Sequence, residues 1–299
     1  MDGILNIYKE KGYTSHDVVA IVRRTLKEKR VGHTGTLDPD AEGVLPVCVG
    51  KATKLADYIM NSGKTYTAEI TFGAETTTQD ASGEITNTYT VDFDEEKIKA
   101  AIESFKGEYM QLPPMYSAIK INGKKLYEFA RKGQEVERKA RKVVIYNITA
   151  KQFMAPDKAI ITVDCSKGTY IRALCEDIGK KLGFGAYMSA LTRTRSSAFD
   201  IKDSIRLSQL QELCENGRLA EALMPMEKAL ESYKKAVVLK SADNLMHNGA
   251  RIYSEYITRK ITPGETVTGF DSTGVLVGIY TAETDETGRG YIRPATILL

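Results

Sequence analysis

"RVGHTGTLDPDAEGVLPVCVG", Arg30 to Gly50, sets one carboxylate, Asp38, between a leucine and a proline inside a glycine-rich run. Pro39 fixes its own φ and pushes Asp38 toward extended geometry, while Gly35 and Gly43 permit tight turns on either side. The apolar run that follows, "VLPVCVG", reads as a buried strand. Asp-Pro in a loop is ordinary turn chemistry, so this stretch alone describes a turn with an acid in it. Any further meaning has to come from what accompanies it.

The chain has 299 residues, 42% hydrophobic and 27% charged, the make-up of a globular protein with room for one large domain and one small one. The opening "MDGILNIYKEKGY" carries no basic start followed by a long apolar run. No later apolar stretch approaches the ~20 residues that span a bilayer, so a cytoplasmic location is expected. Cys48, Cys165, Cys175 and Cys214 form no CxxC pair and read as reduced core thiols. A net charge of +3 is too small to point to nucleic acid, so the distribution must carry that argument. Nine Lys/Arg stand against three Glu between Lys120 and Lys142, and "RRTLKEKR" spans Arg23 to Arg30. Such local excess is what phosphate binding needs, although either run taken singly also reads as a solvated helix face.

"GILNIYK" predicts a strand, "SHDVVAIVRRTLKEKR" a helix with Ser15 as N-cap, "KATKLADYIM" a helix, and "KTYTAEITFG" a strand with period-2 alternation. "DEEKIKAAIESFKG" reads as a helix opening on acids and closing at Gly107. Asn122-Gly123 marks a hairpin ahead of a short helix; "KVVIYNITAKQF" and "KAIITVDCSKG" form another around "MAPD", and "TYIRALCEDIGKKLG" is an amphipathic helix. "LSQLQELCENGRLAEALMPMEKALES" reads as a helical bridge. From Tyr233 short apolar strands alternate with turn pairs, which predicts two domains, 1–232 and 233–299.

Several chemistries are excluded. A phosphate-cradling loop would need glycine where Leu45 stands and Ser or Thr where Ala52 stands, and no G-x-G-x-x-G follows a strand. Three histidines without HExxH spacing give no metal site, and no G-x-S-x-G elbow supplies an acyl-transfer nucleophile. What remains is a carboxylate presented by its backbone, Tyr66 on a strand, and Tyr170 and Arg172 where a strand gives way to a helix. An acid, a cation to keep it ionised and an aromatic face for a base are the set a base-flipping nucleic-acid enzyme requires.

"GHTGTLDPDAEGVLPVCVGKATK", "KTYTAEITFG" followed by "TQDASGE", "QLPPMYSAIKINGKKLYEFARKG" and "CSKGTYIRALCEDIG" together resemble the bacterial tRNA pseudouridine-55 synthase family, in order across the first 200 or so residues. The tail resembles the small PUA-type RNA-binding domain that this family often carries. The resemblance implies an α+β fold: a mixed, mainly antiparallel sheet flanked by helices with a central cleft, plus a small β-barrel-like C-terminal domain. It implies isomerisation of uridine 55 in the tRNA T-loop, with tRNA as partner, no cofactor or metal, no protein partner and a monomeric state. Asp38 falls on the catalytic aspartate. Tyr66 falls on the tyrosine that stacks on the target base and is a candidate for the later proton step, and Arg172 on the arginine that pairs with the aspartate. Tyr170 and Leu191 line the pocket, His33 fills the space left by the flipped nucleotide, and Lys64 and Lys120 complete the substrate-binding set. Glu10 and Glu42 depart from the pattern, standing where proline and threonine are usual.

A buried aspartate would protonate to escape desolvation, and a guanidinium gripping it in bidentate fashion would hold its charge. The basic segment at 120–142 reads as an arm that closes over the RNA. Which atom Asp38 touches stays open: sugar, base, or a sugar proton. A catalytically silent tRNA-folding factor and a synthase for another uridine are the competing readings; the first predicts that Asp38→Asn leaves its activity intact.

Overall fold

Gly3–Lys9 and Glu42–Val49 are buried along almost their whole length, as their unbroken apolar runs require, and pair antiparallel from Gly3 opposite Val49 to Lys9 opposite Gly43. In the computed structural model, which describes every residue except Ala118, Asn122 and Glu135, this pair lies toward one end of a ten-stranded sheet. Its order is Leu223–Met224, Gly3–Lys9, Glu42–Val49, Ala186–Ser196, Lys64–Phe72, Lys158–Cys165, Arg141–Met154, Gly107–Gln111. Val31–His33 adds to Glu42–Val49, and Phe199–Asp200 to Ala186–Ser196.

Among the described residues one pairing in this sheet is parallel. Glu42–Val49 and Ala186–Ser196 meet only at Glu42 opposite Thr192 and Gly43 opposite Arg193. On the side of the seam that precedes these pairs, Asp38 to Ala41 and Met188 to Leu191 line the same cavity. The seam therefore generates the expected cleft. Gly43 is what lets it close: its φ is +103°, and a Cβ there would lie 2.3 Å from the Arg193 carbonyl oxygen.

Helices flank the sheet. Ile171–Leu182 buries Ile171, Leu174, Cys175 and Ile178 with Tyr66, Ile70 and Ile161 of the sheet, and Glu95–Glu103 adds Ile98 and Ile102. Ser15–Leu26 and Leu207–Glu215 pack on Leu5, Ile7, Leu45 and Val47, beyond the seam on the same face. The C-terminal strands form a separate curled sheet, in the order Lys234–Val237, Thr266–Phe270, Leu276–Thr284, Gly290–Ile297, Ile252–Tyr253. Its Phe270, Leu276, Ile279 and Leu298 pack against Ile4, Val44, Cys48 and Leu55, and the Tyr233 hydroxyl donates to the Tyr58 carbonyl at 3.0 Å. No helix of the described residues is long and apolar enough to cross a membrane.

The mixed, mainly antiparallel sheet with flanking helices matches the expectation; several local expectations do not. Ala186–Ser196, the strand at the seam, went unpredicted because arginines and small residues hide its alternation, and one of those arginines, Arg193, is only 1% exposed. Thr14, not Ser15, caps the first helix, forming a capping box with Asp17 and freeing Ser15 for another partner. "KATKLADYIM" opens as a 3₁₀ turn, Gly50–Leu55, before the short helix Ala56–Met60. The acidic helix ends at Glu103, so Gly107 begins a strand instead of closing the helix. The expected helical bridge contains the edge strand Leu223–Met224, because Leu223 and Met224 pair with Leu5 and Ile4. Asn122 of the expected hairpin lies outside the described residues, while Lys120–Ile121 and Lys124–Lys125 on either side pair antiparallel.

Gly43→Ala should therefore destabilise the protein by about 2–4 kcal/mol, through backbone strain and the clash with Arg193. A denaturant midpoint that does not move would contradict this account of the seam.

Candidate active site

Two buried cations hold the Asp38 loop by its carbonyls. Lys9, fully buried, donates from Nζ to the carbonyls of Ala41 at 2.6 Å, Pro39 at 3.0 Å and Glu10 at 3.2 Å. Burial pushes its ammonium down to about 8. Arg193 donates to Val44 at 2.7 Å, Gly35 at 3.1 Å and Thr36 at 3.4 Å. The Ser15 hydroxyl, released from capping, accepts from the Leu37 amide at 2.9 Å and donates to the Leu37 carbonyl at 3.2 Å. Partial charges on carbonyls thus compensate buried cations, and in doing so fix the chain on both sides of Asp38. At the two departures from the family pattern, Glu10 pairs with Arg206 and Glu42 accepts from the Thr192 hydroxyl at 3.4 Å. Both positions remain compatible with the loop that Lys9 and Arg193 hold.

Arg172 lies in the first turn of Ile171–Leu182, whose start is fixed by Gln111: its amide nitrogen donates to the Tyr170 carbonyl at 2.9 Å and its oxygen accepts from the Tyr170 amide at 2.8 Å. The guanidinium, 5% exposed, reaches Asp38 through Nε at 3.1 Å. The expected bidentate grip does not form. Nη1 goes to Asp80 at 3.3 Å and the Thr78 carbonyl at 3.1 Å, and Nη2 to the Tyr116 carbonyl at 2.9 Å. One cation is shared between two acids and also ties in the loop carrying Asp80 and the root of the basic segment.

Asp38 keeps 41% of its side chain open to the cavity, yet crowding by the surrounding chain dominates its electrostatics. Desolvation raises its pKa above the usual carboxylate range; Arg172 opposes this, and Asp80 adds to it. The cavity encloses about 350 Å³, at the small end of ligand pockets, which run to roughly 300–1,000 Å³. Its wall joins Asp38, Asp80 and Arg172 to Met188 and Leu191.

Of the residues expected at the site, Asp38, Arg172 and Leu191 line this cavity together. Tyr66 is 8% exposed and belongs to the same buried apolar cluster as Leu37 and Leu191; burial pushes its phenol up. Tyr170 occupies the N-cap position of the Arg172 helix, and its pKa is also raised by burial. His33 pairs opposite Val47, its Nδ1 buried with no partner among the described residues and its ring 5.6 Å from that of His16. Burial lowers its pKa to about 4, so its imidazole is neutral. Lys64 is buried, donating to the Met60 carbonyl at 2.7 Å and the Ser62 carbonyl at 2.8 Å, whereas Lys120 is exposed on the basic segment.

Sequence reasoning missed Asp80, although "TQDASGE" was in view, and it missed Lys9, Arg193 and Gln111. Asp80 sits beside Gln79, whose φ of +64° is rare for a residue other than glycine. A single sequence carries no signal for that.

The whole fold has solved counterparts. It aligns with a chain of a Cbf5-Nop10-Gar1 complex at a TM-score of 0.81 and 30% identity, covering 99% of this chain and 85% of that one. A chain of an H/ACA RNP bound to a substrate RNA containing 2′-deoxyuridine aligns at 0.78 and 28%, with the same coverage. Residues 23–171 match the N-terminal domain of TruB family pseudouridylate synthases, and residues 172–231 the C-terminal domain of tRNA pseudouridylate synthase B. Fold and site together are those of a pseudouridylate synthase. More narrowly, the chain belongs to the TruB family. Relatives named tRNA pseudouridine synthase B include one from Alkaliphilus oremlandii, 51% identical over 86% of this chain and 85% of its own, and one from Bacillus subtilis, 41% identical over 100% and 98%.

With Asp38 as the acting carboxylate, the Arg172 arrangement should set the acid limb of the pH–rate profile, activity falling as Asp38 takes up a proton. Arg172→Met removes the cation that opposes protonation and should move the limb up by about 1 pH unit or more; Asp80→Asn removes a charge that favours protonation and should move it down. Single-turnover rates across pH check both directions, and a limb that ignores both substitutions would assign it to another group.

Proposed function

We propose that this protein isomerises uridine to pseudouridine at position 55 of the tRNA T-loop, with Asp38 as the catalytic carboxylate. The observation that carries the reading is Asp38 at the open seam of the sheet, paired with Arg172 and facing a cavity walled by Leu191 and Met188. The relatives' printed name supports tRNA as the substrate.

The reaction breaks the N1–C1′ bond and rejoins the sugar at C5; a proton leaves C5, N1 takes one up, and nothing is oxidised or hydrolysed. Its requirements are a carboxylate at the sugar–base junction and walls that retain the detached uracil while it turns. Asp38 meets the first as a nucleophile or base once Arg172 favours its charge. Leu191 and Met188 supply apolar walls, and Tyr66 lies in the same buried cluster as both. With its pKa raised, Tyr66 stays protonated at neutral pH, which suits stacking on the base better than removing the first proton. A target uridine must leave the stack to reach Asp38, which an unpaired loop makes cheap. His33 and Tyr170 support the loop and the helix that frame the site, and Lys120 belongs with the arm at 120–142. The curled unit at 233–299 is the second RNA-contacting domain.

Unmodified tRNA transcript carrying tritium at uridine C5 tests the reading directly. Wild-type protein should release tritium from the T-loop uridine, and Asp38→Asn should slow release by at least about 10³-fold. Release that survives the substitution, or arises at another uridine, would overturn it. The arm should also lose protease sensitivity between residues 120 and 142 when tRNA is bound; equal cleavage with and without tRNA would remove it from the interface.

A further inference from the structure

The mouth of the cavity poses an electrostatic problem that the reaction does not explain. Three carboxylates line it, Asp38, Asp40 and Asp80, while an RNA strand delivering its base brings a negative phosphodiester on each side of the target. Three nearby cations are not free to answer those charges. Arg172 is buried, its guanidinium committed to two acids and two carbonyls. Lys9 is fully buried on three carbonyls, and Lys64 is buried on two.

Lys11 is placed differently. It is exposed, it lines the cavity beside Asp38, Pro39 and Asp40, and among the described residues its ammonium has neither a hydrogen bond nor an ion pair. Its backbone is nevertheless fixed against the catalytic loop. The Gly12 amide donates to the Pro39 carbonyl at 2.9 Å, and Lys9, two residues earlier, donates to the carbonyls on both sides of Asp40. A long flexible side chain with three donors thus stands on a rigid base at the cavity rim, and a phosphate that approaches at variable angle is suited by such a point charge.

We propose that Lys11 binds the phosphodiester adjoining the flipped nucleotide and offsets the carboxylates at the mouth. This rests on the RNA-substrate reading above. Lys11 acts on binding of the strand, and the chemistry stays with Asp38.

The test is equilibrium binding of a tRNA transcript by filter retention between 50 and 200 mM salt, in full-length protein carrying Asp38→Asn so that the bound RNA stays unmodified. Adding Lys11→Gln should weaken binding about three- to tenfold and make the negative slope of log K against log[salt] shallower by about 0.9, the signature of one lost phosphate contact. Lys11→Arg should restore both. Ligated tRNAs carrying one neutral methylphosphonate, 5′ or 3′ of the target uridine, then locate the contact. One of the two should weaken the Lys11 protein as much as Lys11→Gln does and cost the Lys11→Gln protein nothing further. An unchanged salt slope, or losses that add at both phosphates, would overturn the assignment. Failure of the functional reading would appear elsewhere, as absent tritium release by wild-type protein, and leaves these binding arms readable.

Discussion

The backbone of Gly43 lies so close to that of Arg193 that no side chain fits between them, and the cleft holding Asp38 depends on this approach. It allows two strands, Glu42–Val49 and Ala186–Ser196, to join in parallel for two residue pairs. A longer parallel ladder would have sealed the seam, and no pairing would have left two independent sheets. The short join leaves Asp38 to Ala41 facing Met188 to Leu191, so the acid is presented by a sheet defect built into the topology. The remaining elements act to hold that opening in shape.

Charge is handled differently beneath the loop and above it. Beneath, Lys9 and Arg193 are buried without close carboxylate partners among the described residues, and carbonyls of Glu10 and of residues 35 to 44 take their hydrogen bonds. Removing either cation would leave several carbonyls orphaned in a dry site, which costs more than the bonds themselves contribute. Above, Arg172 is divided between Asp38 and Asp80, so neither acid takes the whole cation. That division, together with crowding, leaves the Asp38 carboxyl easier to protonate than a free one. A carboxylate held less tightly than a bidentate pair would hold it remains available to a substrate.

Legibility followed how locally each feature is specified. The strands Gly3–Lys9, Lys64–Phe72 and Lys158–Cys165 and the helix Ile171–Leu182 were readable because their apolar periods are unbroken. Ala186–Ser196 was not, since its buried positions include an arginine whose partners lie some 150 residues away. Ser15 looked like a cap and Thr14 is one; the hydroxyl of Ser15 is claimed by Leu37, a contact between segments that nothing local announces. Arg172 was expected to grip Asp38 alone, because Asp80 enters from a loop whose residue at positive φ, Gln79, carries no glycine to mark it.

By itself, the sequence determined the acid and its constrained turn, since Asp38, Pro39, Gly35 and Gly43 act through φ and ψ limits that need no distant partner. It also determined the family, through motifs whose order survives in one dimension. Tertiary structure decided which cations serve the site. Lys9, Lys11 and Lys64 are the same side chain in a string of letters; burial on carbonyls takes two of them out of reach of solvent, and exposure at the cavity mouth leaves the third able to meet a phosphate. The field at a position depends on what the fold brings within a few ångströms of it, and residues distant in the chain supply most of that.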